Sequence, residues 1–326
     1  MRLKALYHLG NWGPLMSWSG CAIMLGIGSA IHERGLESVD WLLIVVAAAG
    51  TVIIQYAAHP VNDLLDFEVD ARANIKGTGR HKVLHSGLAT RPDLVHLSWL
   101  LLAAAIAMML FVTVMRPLAL AFGLIGLFGL WSYNWKPLRL SYYPFSELVV
   151  DIPVNMAMVM AIAFVAVNQV LYLAFVVGIV QTFMAMSMHI SYFAMDTESD
   201  DLGGKVSTIV AYPKYPWCTI YPAIGLGGVA VFAVLGTNPW VLSVPAVLFC
   251  VELAFGLKMD WIRFTYLRKQ GKGVRDRYFE SLFRGVPAEV TNDWQTTSSQ
   301  MRKILTMQTL VTIVNGIGLT AILLIT

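Results

Sequence analysis

Charge is what this sequence has least of: 13% of its 326 residues are Asp, Glu, Lys or Arg, where an ordinary soluble domain carries about 25%. Beside 57% hydrophobic residues, that scarcity excludes a water-soluble fold. Cysteine is also scarce. Cys21, Cys218 and Cys250 stand alone in or beside apolar stretches, which excludes a disulfide framework and a zinc site and leaves packing as their use. No nucleic-acid motif and no long basic tract are present. A net charge of +3 spread over membrane-adjacent loops suits anionic lipid or a phosphorylated substrate instead. No small-residue cleavage site closes the first apolar stretch and further stretches follow, so a secretory leader is not expected. No low-complexity linker divides the chain, and one domain over residues 1–326 is expected.

What is present is a series of apolar runs, each long enough to cross a bilayer, which takes about 17 to 25 helical residues. Nine are read, at 15–31, 41–58, 94–115, 117–133, 148–167, 170–193, 217–237, 239–257 and 306–325. The expected fold is therefore an all-α integral membrane protein, multi-pass, with nine transmembrane helices in a bundle. Of the 23 Lys and Arg residues, all but Arg34 and Arg116 lie on one side once the N-terminus is placed in the cytoplasm, as the positive-inside rule requires. The polar segments 59–93, 134–147, 194–216 and 258–303 emerge on that same side. One cytoplasmic face is thus expected to carry the chemistry. The short connections at 168–169 and 237–238 predict tight helical hairpins.

The first acidic segment, NDLLDFEVD, ends the second run. Asp63, Asp66 and Asp70 are spaced by three and four residues and Asn62 stands four before Asp66, so all four share a helical face that excludes Glu68. Like charges on one face at a membrane helix end repel and are costly to desolvate, so they demand cations. Magnesium fits, because it prefers oxygen ligands and is held by one or two carboxylates together with substrate phosphates. The second segment ends the sixth run, where His189, Tyr192, Asp196 and Asp200 again share a face. Gly203, Gly204 and Lys205 follow, permitting close backbone approach and supplying a cation for a diphosphate. Five carboxylates, at 63, 66, 70, 196 and 200, together with a diphosphate outweigh two magnesium ions in charge, so lysine and arginine must supply the remainder. Arg72, Lys76, Arg80, Lys82, Lys136, Arg139 and Lys205 lie on the correct side.

These residues resemble the UbiA superfamily of intramembrane prenyltransferases. NDLLDFEVD matches its NDxxDxxxD pattern, DTESD followed by GGKVST looks like its second DxxxD motif, and YNWKPLRLSYYPFSEL resembles its segment after the fourth helix. The resemblance implies a central cavity that opens to lipid for an isoprenoid tail, capped by polar loops at 71–93 and 194–216. It implies Mg2+ bound by Asn62, Asp63, Asp66, Asp70, Asp196 and Asp200. Asn62, Arg72, Lys76, Lys82, Tyr133, Lys136, Arg139 and Lys205 are the expected diphosphate contacts, and by the same resemblance Lys82 stands near the loop position where the family often carries Arg-Pro. Asp66, Asp70, Asp196, Asp200 and Tyr192 form the expected catalytic set, and His189, Tyr192 or a carboxylate is the candidate base. The expected reaction moves a prenyl group from an allylic diphosphate to a small hydrophobic, electron-rich acceptor of quinone-precursor type. A terpene cyclase of the same superfamily and an ion-coupled transporter are the alternatives. The cytoplasmic insertion 258–303 carries RKQGKGVRDR followed by Tyr278, Phe279, Leu282 and Phe283 at near-helical spacing, which predicts a surface-lying amphipathic helix.

Overall fold

Helix boundaries follow local chemistry in this computed structural model, which describes residues 3–9, 12–72, 82–271 and 294–326. The elements in order are α1 (Leu3–Leu9), α2 (Trp12–Leu15), a π-helical turn (Met16–Gly20), α3 (Cys21–Arg34), α4 (Trp41–Leu65), α5 (Phe67–Arg72), α6 (Arg91–Met115) and α7 (Ala119–Asn134). A second π-helical turn (Glu147–Asp151) leads into α8 (Ile152–Val167), followed by α9 (Tyr172–Gly203), α10 (Thr208–Ala211), α11 (Trp217–Val234), α12 (Pro239–Lys269) and α13 (Trp294–Ile325). Among the described residues there is no strand.

Side-chain caps start several of these helices. Asp40 accepts from the Leu43 N–H at 3.1 Å and begins α4. Thr90 and Asp93 form a reciprocal capping box, with Pro92 in the first turn of α6. The α9 helix ends on Gly204, whose φ of 78° is left-handed, and the Lys205 N–H closes back onto the Asp200 carbonyl at 2.8 Å. That is the glycine stop expected at a helix C-terminus.

Seven helices among the described residues are long and apolar enough to cross a bilayer: α4, α6, Glu147–Val167, α9, α11, α12 and Thr296–Ile325. They mark an integral membrane protein. The run expected at 117–133 becomes the 16-residue α7, and the run expected at 15–31 is shared between the first π-helical turn and α3. Burial sorts the spans. In α9, 83% of the apolar window is buried, against 11% in α6, so α9 is the central helix and α6 faces outward. Accordingly α9 packs on α3, α8, α11, α12 and α13, while α6 leans mainly on α4.

Four helices continue beyond their apolar windows. The α4, α9 and α12 helices reach Leu65, Gly203 and Lys269, and α13 starts at Trp294. The extensions of α9, α12 and α13 meet at one end of the bundle, where Tyr266 and Trp294 rings lie 4.7 Å apart and join a core that includes Phe193 and Met195. The cap expected as a loop at 194–216 is consequently helical up to Gly203, and the expected insertion at 258–303 is helical over 258–269 and again from Trp294. Backbone groups leaving the bilayer stay paired by continuing the helix, which explains why polarity alone does not end it. The amphipathic helix expected around 278–283 lies outside the described residues.

Candidate active site

The first acidic segment stays helical through a small offset. Asp66 has φ −96° and ψ 2° between α4 and α5, yet the Asp66 N–H still donates to the Asn62 carbonyl at 2.9 Å and the Asp70 N–H to the Asp66 carbonyl at 2.8 Å. The shared face therefore survives. Asp63, Asp66 and Asp70 are buried, Asn62 is half-buried and Glu68 is exposed.

Each buried carboxylate is matched by cations from elsewhere in the chain. Lys82 Nζ lies 3.0 Å from Asp63 Oδ1 and 3.1 Å from Asp70 Oδ2, and donates to Asn62 Oδ1 at 3.0 Å. The adjacent Val83 N–H donates to Asp63 Oδ2 at 3.0 Å. Asp66, at 2% exposure, accepts from Arg139 at 3.1 Å, the Tyr142 hydroxyl at 2.7 Å and Asn62 Nδ2 at 2.9 Å, and pairs with Lys205 at 2.6 Å. Burial by itself raises the Asp66 pKa. The charge and hydrogen bond of Lys205, then Tyr142 and Lys82, outweigh it and hold the carboxyl below its ordinary value. Burial, followed by the Asp66 charge, pushes the Tyr142 phenol above its ordinary value, so it remains a donor.

The Lys205–Asp66 pair joins the two acidic segments, and a glycine permits it. A Cβ on Gly203 would sit 2.5 Å from Val69 Cγ1, so only glycine lets the end of α9 abut α5. Asp196 and Asp200 are half-buried on the last turns of α9.

A cavity of about 900 Å³ lies between α4, α6, α7, α8, α9 and α13. Its polar end is walled by Asn62, Asp63, Lys82, Asp196, Asp200 and Lys205, and its flanks by side chains such as Val46, Met108, Met109, Phe122 and Leu127. Tyr133 and Tyr192 also line it. Asp66 and Asp70 stand behind this wall rather than in it, held by the cations described above. Among the described residues, no three His, Cys, Asp or Glu side chains converge as ligands of one metal ion. Lysine nitrogens sit among the oxygens instead. The donor set nevertheless consists of carboxylate and amide oxygens, which suits a hard divalent cation such as magnesium.

Two expected diphosphate contacts are placed elsewhere. Lys136 is exposed just past the end of α7 and is absent from the cavity wall. Arg139, with a left-handed φ of 40°, folds its guanidinium over the Tyr142 ring at 3.7 Å and donates to Asp66, the Tyr142 hydroxyl and the Leu65 carbonyl. Lys76 and Arg80 lie outside the described residues, as does the Arg72 side chain.

Sequence reasoning missed Tyr142 and Asp151. Tyr142 sits within the quoted YNWKPLRLSYYPFSEL segment, but its partner, 76 positions away, comes only from tertiary packing. Asp151 had a usable signal, being an acid inside the apolar run expected at 148–167, one helical turn after Glu147. It lines the cavity and its Oδ2 lies 2.5 Å from His189 Nδ1.

Comparison with known proteins agrees with this geometry. The sequence matches the profile of the UbiA prenyltransferase family over residues 11–275. Among solved structures, a UbiA homologue from Archaeoglobus fulgidus bound to DMAPP and Mg2+ aligns with a TM-score of 0.59 at 14% identity, covering 97% of this chain and 99% of that one. The same homologue bound to GPP and Mg2+ gives 0.57 at 14% identity with equal coverage. A digeranylgeranylglyceryl phosphate synthase gives 0.53 at 16% identity, covering 94% of this chain and 98% of that one. At these identities the likeness is one of fold. No curated protein matches the sequence.

Proposed function

We propose, from the premise that this chain belongs to the UbiA prenyltransferase family, that it transfers the prenyl group of an allylic diphosphate to an electron-rich aromatic acceptor of quinone-precursor type and releases diphosphate. One observation carries this reading: two acidic helix ends, locked together by Lys205 and Asp66 at 2.6 Å, form the polar end of an apolar cavity of about 900 Å³. A diphosphate head suits the first part and a prenyl tail the second.

Magnesium is the proposed cofactor, held by oxygens of Asn62, Asp63, Asp66, Asp70, Asp196 and Asp200. Bound there, it supplies Lewis-acid stabilisation of the charge that builds on a leaving diphosphate. Lys82 and Lys205 occupy the same end of the cavity and add preorganised positive charge, the term that usually dominates such catalysis. The apolar flanks exclude water from the allylic cation, and the aromatic side chains of Tyr133, Tyr192 and Phe193 line the same space, which suits a cation attracted by aromatic rings.

The same reading counts nine spans, by adding α7 and the continuous stretch from Trp12 to Arg34 to the seven longer helices. It also places the N-terminus and the acidic end in the cytoplasm, because Lys and Arg crowd the loops of that side.

The test is magnesium-dependent consumption of geranyl diphosphate by the purified protein in detergent. Asp66→Ala and Asp200→Ala are each expected to abolish it, and turnover retained in both sinks the assignment. A cyclic hydrocarbon or alcohol formed without any acceptor moves the protein to the cyclase branch instead.

A further inference from the structure

The cavity holds a second polar group, away from its acidic end. His189 lies seven residues before Asp196 on α9, which is about 10 Å along the helix axis, and Asp151 reaches it from the π-helical turn before α8. Both line the cavity, with Nδ1 and Oδ2 2.5 Å apart. In a pair of a carboxylate with a neutral imidazole, the carboxylate accepts, Nδ1 donates and Nε2 is the acceptor nitrogen. The imidazole is walled by Trp18 edge-on at 5.2 Å, Phe193 at 4.6 Å and Tyr133 at 6.4 Å.

Trp18 supplies a second, independent observation. It lines the same cavity, and its buried indole N–H has no hydrogen-bond acceptor among the described residues. A buried donor left unpaired is costly. One wall of the cavity, which Gln55, Asn134, Asn155 and Thr309 also line, thus sets a proton acceptor beside an unspent donor, with aromatic rings around both. That arrangement complements a flat ring bearing an ionisable hydroxyl.

We propose that the Asp151–His189 pair is the base that takes the proton of the acceptor's ring hydroxyl, while the Trp18 N–H donates to an oxygen of the same acceptor. The inference rests on the prenyl-transfer reading above and adds the acceptor's chemistry to it. As the allylic C–O bond breaks, diphosphate leaves with the electron pair. A ring carbon of the acceptor supplies the pair for the new C–C bond, and the hydroxyl proton passes to His189 Nε2. The ring hydrogen at the new bond then moves to the oxygen as aromaticity returns, so one proton in all leaves the acceptor. Asp151 keeps its hydrogen bond to Nδ1 and offsets the imidazolium charge.

The test uses the purified full chain with Mg2+ and geranyl diphosphate. The acceptor probes are 4-hydroxybenzoate, 1,4-dihydroxy-2-naphthoate and their O-methyl ethers, with diphosphate, geraniol and prenylated ring all quantified. The wild type is expected to prenylate a free-hydroxyl probe and not its ether, a comparison that needs no variant. His189→Gln and Asp151→Asn are each expected to lower transfer by about 100-fold, with the diphosphate they still release matched by geraniol rather than by prenylated ring. Trp18→Phe, which keeps the ring and loses the N–H, should raise the acceptor KM more than it lowers kcat. Transfer to the ethers as fast as to the hydroxyls, transfer to no hydroxylated ring, or unchanged transfer in both His189→Gln and Asp151→Asn overturns the inference. A wild type that releases no diphosphate overturns the prenyl-transfer reading instead.

Discussion

Asp66 concentrates the site's electrostatics in one side chain. It is 2% exposed and touches Asn62, Arg139, Tyr142 and Lys205. Its partners differ in what their removal costs. Tyr142→Phe deletes the hydrogen bond that the hydroxyl donates to Asp66 and the one that it accepts from Arg139, but leaves Asp66 its cations, and is expected to lower stability by about 1.5–3 kcal/mol. Lys205→Ala leaves a buried carboxylate short of a cation and is expected to cost about 3–5 kcal/mol. Thermal unfolding in detergent checks the order, and a Tyr142→Phe protein less stable than Lys205→Ala contradicts it. The pH dependence carries a definite sign. A carboxyl held below its ordinary value stabilises the fold fully above that value and loses this contribution as pH falls through the lower, folded one. Lys205→Ala should therefore narrow the gap between stability at neutral and at acid pH.

At the scale of elements, the site depends on α5 and the end of α9 meeting. Gly203 allows that contact, because any Cβ there collides with the buried Val69 one residue before Asp70. Gly203→Ala is expected to cost about 1–3 kcal/mol as overpacking and to lower activity about tenfold or more, an activity loss of about 1.4 kcal/mol. Adding Val69→Ala frees the space, so the double variant should recover activity relative to Gly203→Ala alone. Measuring kcat/KM for all four proteins in the cycle checks this, and strict additivity of the two losses contradicts it. The shared face of Asn62, Asp63, Asp66 and Asp70 was legible from spacing because the helix hydrogen bonds continue across Asp66. The ends of the helices were not. Apolar windows mark where lipid stops, whereas α4, α9, α12 and α13 continue until a cap or a glycine ends them.

For the whole molecule, donor and metal binding should couple to folding, because the acidic end is assembled from segments as distant in sequence as Asn62, Lys82, Asp200 and Lys205. A ligand that binds only the folded state at about 100 times its Kd stabilises it by about 2.7 kcal/mol. Geranyl diphosphate with Mg2+ is accordingly expected to raise the unfolding midpoint in detergent, and EDTA to remove both that rise and the turnover. A midpoint raised equally by geranyl diphosphate in the presence of EDTA contradicts a metal-dependent site. Helix burial assigns the surroundings: α9 holds the centre, while the lightly buried α4 and α6 stand at the periphery and wall the cavity from that side. The polar side chains of α9 therefore have only protein or cavity to face.

The sequence by itself determined the apolar spans and both acidic helix ends. Hydrophobic runs and three- and four-residue spacings are local properties that a helix preserves wherever it is placed. Only the tertiary structure decided that Lys82 grips three groups of the first segment, that Lys205 reaches across to Asp66, that Lys136 stays outside the cavity, and that Asp151 stands behind His189. The reason is physical. Long side chains carry their charge several ångströms from the backbone, so which carboxylate each one meets depends on how helices distant in sequence are packed. Spacing along the chain holds no record of that.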